Sequence, residues 1–232
     1  MTSDQAIHTH NLKRIHLQRL RQIYRSAGWP CLDTIEIDLI AAGLLERINP
    51  EGRPEYLRVS DTGMQVLAES LNTNRAAYDA HEALVRKVAE HQIEQGRIAY
   101  LDLTLLSKPG EDWQHSKPDV FSIRKTTSEK YLEPIIFEVK VRRADLLGDL
   151  KKSAKHQGYL AAAGQCIYVL AAGIAKPEEI PECCGVMVEE GDRLMTVRAA
   201  PRAEPFIPTV STWMSLAKAT PYRSQRFRGE ML

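Results

Sequence analysis

Hydrophobic and polar residues alternate most regularly in Ile135-Ile136-Phe137-Glu138-Val139-Lys140-Val141. In an extended chain Ile135, Phe137, Val139 and Val141 share one face and Glu138 and Lys140 share the other, which reads as a polar face of a sheet. Other runs predict further strands. Residues 97–106 form a first strand, broken by Lys108-Pro109-Gly110. Residues 119–125 pair with 135–142 as a hairpin, with Ser128-Glu129-Lys130 at or near its tip. Cys166 to Ala171 is a short buried strand, and 185–188 with 194–197 makes a second hairpin. Two helical segments interleave with these strands. Tyr78, Glu82, Val85, Ala89 and Ile93 follow one helical stripe. A helix from Leu146 to Gly164 carries Leu150, Ala154, Gln157 and Ala161 on one stripe, beside a basic and aromatic face of Lys152, Lys155, His156 and Tyr159. Helix, three strands, helix, strand places this part of the chain in the α/β class with a mixed sheet.

The first part of the chain has a different rhythm. Leu12, Ile15, Leu20 and Ile23 approximate one helical face, and Gly28-Trp29-Pro30 ends that helix. Asp33-Thr34-Ile35-Glu36 has the form of a capping box, here with Asp as the cap, and opens a short helix that stops near Gly43. Leu44 to Ile48 and Tyr56 to Val59 flank a polar turn, and Ser60-Asp61-Thr62-Gly63 caps a last helix through Met64, Val66, Leu67 and Leu71. Asn72-Thr73-Asn74-Arg75 reads as a polar joint. The expected division is 1–73, 74–200, and a C-terminal extension, 201–232, in which Trp213, Met214 and Leu216 dock a short helix on the second domain. Helix, helix, two-stranded wing, helix is similar to winged-helix DNA-binding domains. One helix, not the usual two, fits between the first helix and the wing. That helix carries Glu36 and Asp38 and no Lys or Arg, which suits it poorly to a groove lined by phosphates. DNA contact and protein contact both remain open for this module.

Composition narrows the class. The chain has 232 residues, 44% hydrophobic and 26% charged, with a formal net charge of +1. These are values of an ordinary globular protein, and a nucleic-acid partner must be sought in local patches. No apolar run reaches the length of a membrane span, and the N-terminus lacks an apolar signal core, so no membrane partner and a cytoplasmic location are expected. Cys31, Cys166, Cys183 and Cys184 lack zinc-ligand spacing and read as reduced, buried structural thiols. His8 and His10 read as part of a solvated stretch.

The candidate chemistry lies in Lys117-Pro118-Asp119 and Glu138-Val139-Lys140. Two carboxylates and an ammonium are the groups needed to hold a divalent cation and activate water against a phosphodiester. In order and spacing they resemble the PD-(D/E)XK nuclease superfamily. The stretch Glu138-Val139-Lys140-Val141-Arg142-Arg143-Ala144-Asp145-Leu146 is also similar to its MmcB-like DNA-repair members, with the likeness covering roughly residues 76–200. The resemblance implies a restriction-endonuclease-like α-β-β-β-α-β core. It implies Mg²⁺, with Mn²⁺ as a substitute, held by Asp119, Glu138, the backbone carbonyl of Val139, and Glu82. It makes Asp119, Glu138, Lys140 and Glu82 the catalytic group and DNA the partner. Arg142, Arg143, Lys152, Lys155, Gln157 and Tyr159 are the expected nucleic-acid contacts. Some members carry Gln-x-x-x-Tyr on the following helix; here Gln157 and Tyr159 stand two apart and do not share a face. The expected activity is metal-dependent hydrolysis of DNA, in repair or in mobile-element or defence processing. A catalytically silent DNA-binding regulator on the same fold, and an RNA-directed nuclease, are the alternatives. A homodimer is compatible with the sequence.

Overall fold

Two units, Met1–Ala76 and Ala77–Leu232, make up the chain in the computed structural model. The structure describes residues 12–26, 28–202 and 206–224, so His8 and His10 and parts of the C-terminal extension lie outside the described residues.

The first unit contains α1 (Arg14–Arg25), α2 (Thr34–Ala41), the antiparallel pair β1 (Leu45–Ile48) and β2 (Tyr56–Val59), and the start of α3 (Asp61–Glu94). Leu20, Leu39, Leu44, Leu57 and Leu67 form its core. The buried face of α1 is His16, Leu20 and Ile23, whereas Ile15 is exposed. His16 tolerates burial because one ring nitrogen accepts from the backbone of Lys13 at 3.0 Å and the other lies 3.2 Å from Asp38. Asp33 caps α2 by accepting from the backbone of Glu36. Glu36 is itself buried, accepting from the backbone N–H groups of Cys31 and Leu32 and from Arg19. Its carboxylate therefore secures the entry to the helix. Ser60 caps α3 by accepting from Gly63, and a Cβ on Gly63 would stand 2.3 Å from the carbonyl oxygen of Leu44. The division of the chain after Ala76 falls close to the expected joint at 72–75, but that joint is helical: α3 runs through it as one helix of 34 residues. Residues 71–76 are all exposed, so their polarity marks a solvated stretch of helix and not a break.

In the second unit one six-stranded mixed sheet has the order β10-β9-β8-β7-β6-β3. Its strands are β3 (Arg97–Leu101), β6 (Val120–Arg124), β7 (Ile135–Lys140), β8 (Cys166–Leu170), β9 (Gly185–Glu190) and β10 (Arg193–Arg198). β6 and β7 pair antiparallel, Val120 opposite Phe137, and β7, β8 and β9 run parallel. The second half of α3 covers one face, packing Leu84, Val85 and Val88 on Phe137, Val139 and Val169. The other face is covered by α4 (Arg143–Leu150), α5 (Ser153–Ala163) and α6 (Val210–Lys218) through Leu146, Tyr159, Ala162 and Leu216. β7 is thus buried on both faces, and the polar face expected for Glu138 and Lys140 is an interior one.

Four expectations change in detail. The run 97–106 is split by Asp102, whose left-handed φ of 55° ends β3; the chain then enters a separate pair, β4 (Leu105–Ser107) with β5 (Gln114–Ser116). The segment 146–164 is two helices broken at Lys151–Lys152, and α5 buries His156, Tyr159, Ala162 and Ala163 while Ala154 and Gln157 are exposed. On α6, Thr212 and Leu216 are the buried residues, and Trp213 and Met214 face solvent. All four cysteines are unpaired; Cys166 and Cys184 are buried as expected, but Cys31 and Cys183 are exposed. No described helix is long and apolar enough to cross a membrane.

Candidate active site

Strand register brings the two halves of the motif together. Asp119 immediately precedes β6, and its Oδ2 accepts from the backbone N–H of Val139 at 2.7 Å. Val139 lies between Glu138 and Lys140 on β7, so one hydrogen bond ties the first acid to the acid–lysine pair. Alternation turns Val139 toward α3 and sends Glu138 and Lys140 to the opposite face, beneath α4 and α5.

On that face Glu138 is 4% exposed, and both carboxylate oxygens have donors. Oε1 accepts from Lys140 and from Lys155, the latter at 2.6 Å, and Oε2 accepts from the Tyr159 hydroxyl at 2.7 Å. A second acid, Asp149, joins them from α4. It accepts from Lys155 at 2.7 Å and from the Tyr168 hydroxyl at 2.8 Å, and lies 3.7 Å from Lys140. His156 closes the chain of contacts at 2.5 Å from Tyr168. Two carboxylates and two ammoniums make a buried, balanced four-charge cluster, the condition under which charges are tolerated away from water.

The cluster shifts its members in consistent directions. Burial opposes charge on Asp149, but Lys155, Lys140 and Tyr168 outweigh it and hold the carboxyl below its ordinary value. Burial likewise opposes charge on Lys155, and Glu138 and Asp149 overcome it, raising its proton affinity. Burial, reinforced by Glu138 for Tyr159 and by Asp149 for Tyr168, pushes both phenols well up, so they act as donors. Burial lowers His156.

Asp119 opens on the other side into a cavity of about 180 Å³, lined also by His81, Glu82, Asp102 and Lys117. His81 stands 3.5 Å from Asp119 through one nitrogen and 3.5 Å from Glu82 through the other. The hydrogen bond to Asp119 raises its proton affinity against the opposing effect of partial burial.

The expected site residues therefore divide. Asp119, Glu138 and Lys140 are drawn together through Val139. Glu82 shares the cavity of Asp119. Lys155 and Tyr159, expected on a nucleic-acid surface, point inward onto Glu138. Lys152 and Gln157 are exposed and Arg142 is half-buried. Arg143 is engaged by Glu179 at 2.7 Å and by the carbonyl of Ile174. Sequence reasoning missed His81, Asp149 and Tyr168. The signal for Asp149 was present: it lies three residues after Leu146, on the buried side of α4.

Among the described residues no three His, Cys, Asp or Glu side chains are placed to hold one ion. The donor chemistry around Asp119 and Glu82 nevertheless suits a hard cation, which uses one or two carboxylates and keeps several waters. Glu138 fits as a ligand only when an ammonium leaves it, and Asp149 already offers both lysines a second acceptor.

No protein-family model matches the chain, and no curated protein matches it. Among solved structures it is similar to SPO1766, a protein of unknown function from Silicibacter pomeroyi, at 22% identity and a TM-score of 0.42, over 58% of this chain and 79% of that one.

Proposed function

We propose that the chain is a metal-dependent nuclease of the PD-(D/E)XK type that hydrolyses phosphodiester bonds in DNA, with a winged-helix-like module at its N-terminal end. The observation that carries this reading is the 2.7 Å hydrogen bond from Val139 to Asp119, which joins acid, acid and lysine at one end of the sheet. The element order around it, α3, β3, β6, β7, α4–α5, β8, supports the superfamily's core arrangement. The helix–helix–wing–helix order of the first unit supports the module, with the one-helix departure standing.

In this reading Asp119 and Glu82, with the carbonyl of Val139, would hold Mg²⁺ or Mn²⁺, and Glu138 would join them once an ammonium leaves it. When bound, the cation supplies activation of water and neutralisation of charge on the phosphate. Lys140 orients the attacking water and stabilises developing negative charge. Lys155 adds a second ammonium at the same carboxylate, replacing its expected role as a surface contact. Tyr159 fixes the orientation of Glu138, and His81 does the same for Asp119.

One observation favours a second reading. Both oxygens of Glu138 are occupied by donors from the chain itself, as befits a nuclease fold that binds DNA without cutting it. Incubation of the purified protein with plasmid, linear and single-stranded DNA, in Mg²⁺, Mn²⁺ or EDTA, separates the two. Cleavage is expected with the metals and not with EDTA. Lys140→Ala should lower it about a thousandfold, and Asp119→Ala should abolish metal binding with cleavage. DNA binding without cleavage in either metal would favour the silent reading. Cleavage that survives both substitutions would sink the assignment.

A further inference from the structure

The end of the sheet opposite Asp119 collects more positive charge than the described residues neutralise. Arg97, the first residue of β3, stands directly across from Arg124, the last residue of β6. Like charges in directly opposed positions destabilise an antiparallel pair, so this placement calls for a reason. Arg202 arrives at the same point from the segment after β10. The acid these three guanidinia share is Glu133. It lies 3.9 Å from Arg97 and 2.5 Å from Arg124 and contacts Arg202. Three positive charges against one negative leave an excess of two. Lys125, exposed and without an acid partner among the described residues, adds a third.

The arrangement is built and not merely scattered over the surface. The Arg97 side chain is 7% exposed and is held by the Ser122 hydroxyl at 2.9 Å and by the backbone carbonyls of Ser122 and Glu133. Glu133 takes a left-handed φ of 43°, a conformation disfavoured for a residue with a side chain, to meet the arginines. Burial first, and then Arg124 and Arg202, lowers the proton affinity of Arg97 to about 10 in spite of Glu133, as expected where cations are crowded. Beside them lies an open cavity of about 420 Å³ lined by Gln95, Arg97, Arg124, Lys125, Thr126 and Tyr131.

We propose that this cavity is a phosphate-binding site, in which Arg124 and Lys125 grip a phosphate oxyanion over the buried charge of Arg97. Arg124 presents a planar fork that suits phosphate, Lys125 adds a mobile ammonium, and Thr126 supplies a hydroxyl. The half-exposed ring of Tyr131 gives a base or sugar an apolar flank. The site stands five residues along the chain from Asp119, about 17 Å in extended strand, and is separate from the acid–lysine centre. Its ligand is either a free phosphate group or a backbone phosphate of a nucleic-acid strand.

The test uses the full chain without divalent metal, with inorganic phosphate and a short unphosphorylated single-stranded oligonucleotide as separate probes in calorimetric titrations. Arg124→Ala and Lys125→Glu should each weaken the probe that binds by about tenfold or more. Lys125 is exposed and has no ion-pair partner to lose among the described residues, so folding is not at stake in that variant. Loss of phosphate binding identifies a free phosphate group as the ligand. Loss of oligonucleotide binding alone, with the salt slope reduced by about 0.7 per cation removed, identifies a strand. Equal binding of both probes by wild type and variants, or no binding of either probe by wild type, overturns the proposal.

Discussion

The two ends of the six-stranded sheet handle charge in opposite ways. At the end where β7 finishes, Glu138 and Asp149 meet Lys140 and Lys155 one for one, inside the protein, with phenols completing the hydrogen bonds. At the Arg97 end, three guanidinia share one carboxylate at the edge of solvent, and Lys125 lines the cavity beside them. A balanced cluster is stable by itself and must be disturbed before it can take a ligand. An unbalanced one is already short of an anion. In the proposed reading the first cluster is switched on by a cation and the second binds an anion.

The comparison breaks most visibly if the buried cluster is unbalanced. Glu138→Ala leaves Lys140 and Lys155 facing one remaining acid in a place with little water, and should cost about 3–5 kcal/mol of stability. This differs from what the alternating pattern alone suggests, where a residue on a polar sheet face is replaced at little cost. Its burial at 4% exposure is the reason. Adding Lys155→Met to Glu138→Ala should recover part of the loss, because it removes the charge left without a partner. Urea midpoints for the wild type and both variants would decide it. A loss below about 1 kcal/mol for Glu138→Ala would mean that the lysines reach water easily, and that the cluster is looser than its distances indicate.

What the sequence made legible, and what it hid, follows the same division. The strands of the central sheet were readable because Phe137, Val139 and their neighbours in β8 are long apolar runs with turn residues at both ends. The meeting of Asp119, Glu138 and Lys140 was readable because a hairpin of the expected length brings the start of β6 beside the end of β7. Three kinds of feature were not. A left-handed residue such as Asp102 leaves no mark in a hydrophobic pattern, so one strand was expected where there are two. An exposed helix looks like a linker, so Asn72 to Arg75 suggested a joint. Lysines on an amphipathic helix look solvated, so Lys155 was assigned to the surface although it points into the interior. In each case the deciding interaction joins residues far apart in sequence or resides in the backbone.

Acid pH sharpens the comparison with a smaller effect. His156 is held below its ordinary value by burial, so the neutral ring is the folded form. Its contribution is complete above the unfolded value of 6.5 and is lost as pH falls through it, because the unfolded chain takes up the proton first. Asp149 is also depressed, and its contribution is complete above its unfolded value of 3.8 and lost below that as pH falls through the lower folded value. Stability should therefore fall in two stages on acidification, first near pH 6 and again below pH 4. Lys155, raised by Glu138 and Asp149, contributes below 10.5 and loses its contribution only as pH rises past that value. Asp149→Asn should remove the lower acid stage, and His156→Gln the upper one, in unfolding curves recorded across this range. A His156→Gln protein that keeps the upper stage would show that another group carries it; His81 is not that group, because its raised proton affinity gives a contribution of the opposite sign, present below 6.5 and lost as pH rises.

The smallest effect belongs to the basic end. Arg124→Ala removes an exposed ion pair to Glu133, but it also relieves the crowding that Arg124 imposes on Arg97. Glu133 keeps Arg202 and Arg97 as partners, so no buried charge is orphaned. The two contributions are of opposite sign, and the net change should lie within about 0.5 kcal/mol. In phosphate-free buffer the urea midpoints of wild type and variant should nearly coincide. Adding inorganic phosphate should then raise the midpoint of the wild type more than that of the variant, because a ligand stabilises only the protein that binds it. A large loss of stability in phosphate-free buffer would show that Arg124 is a structural clamp on the loop around Glu133, and that the crowded arginines are held together for the fold and not for an anion.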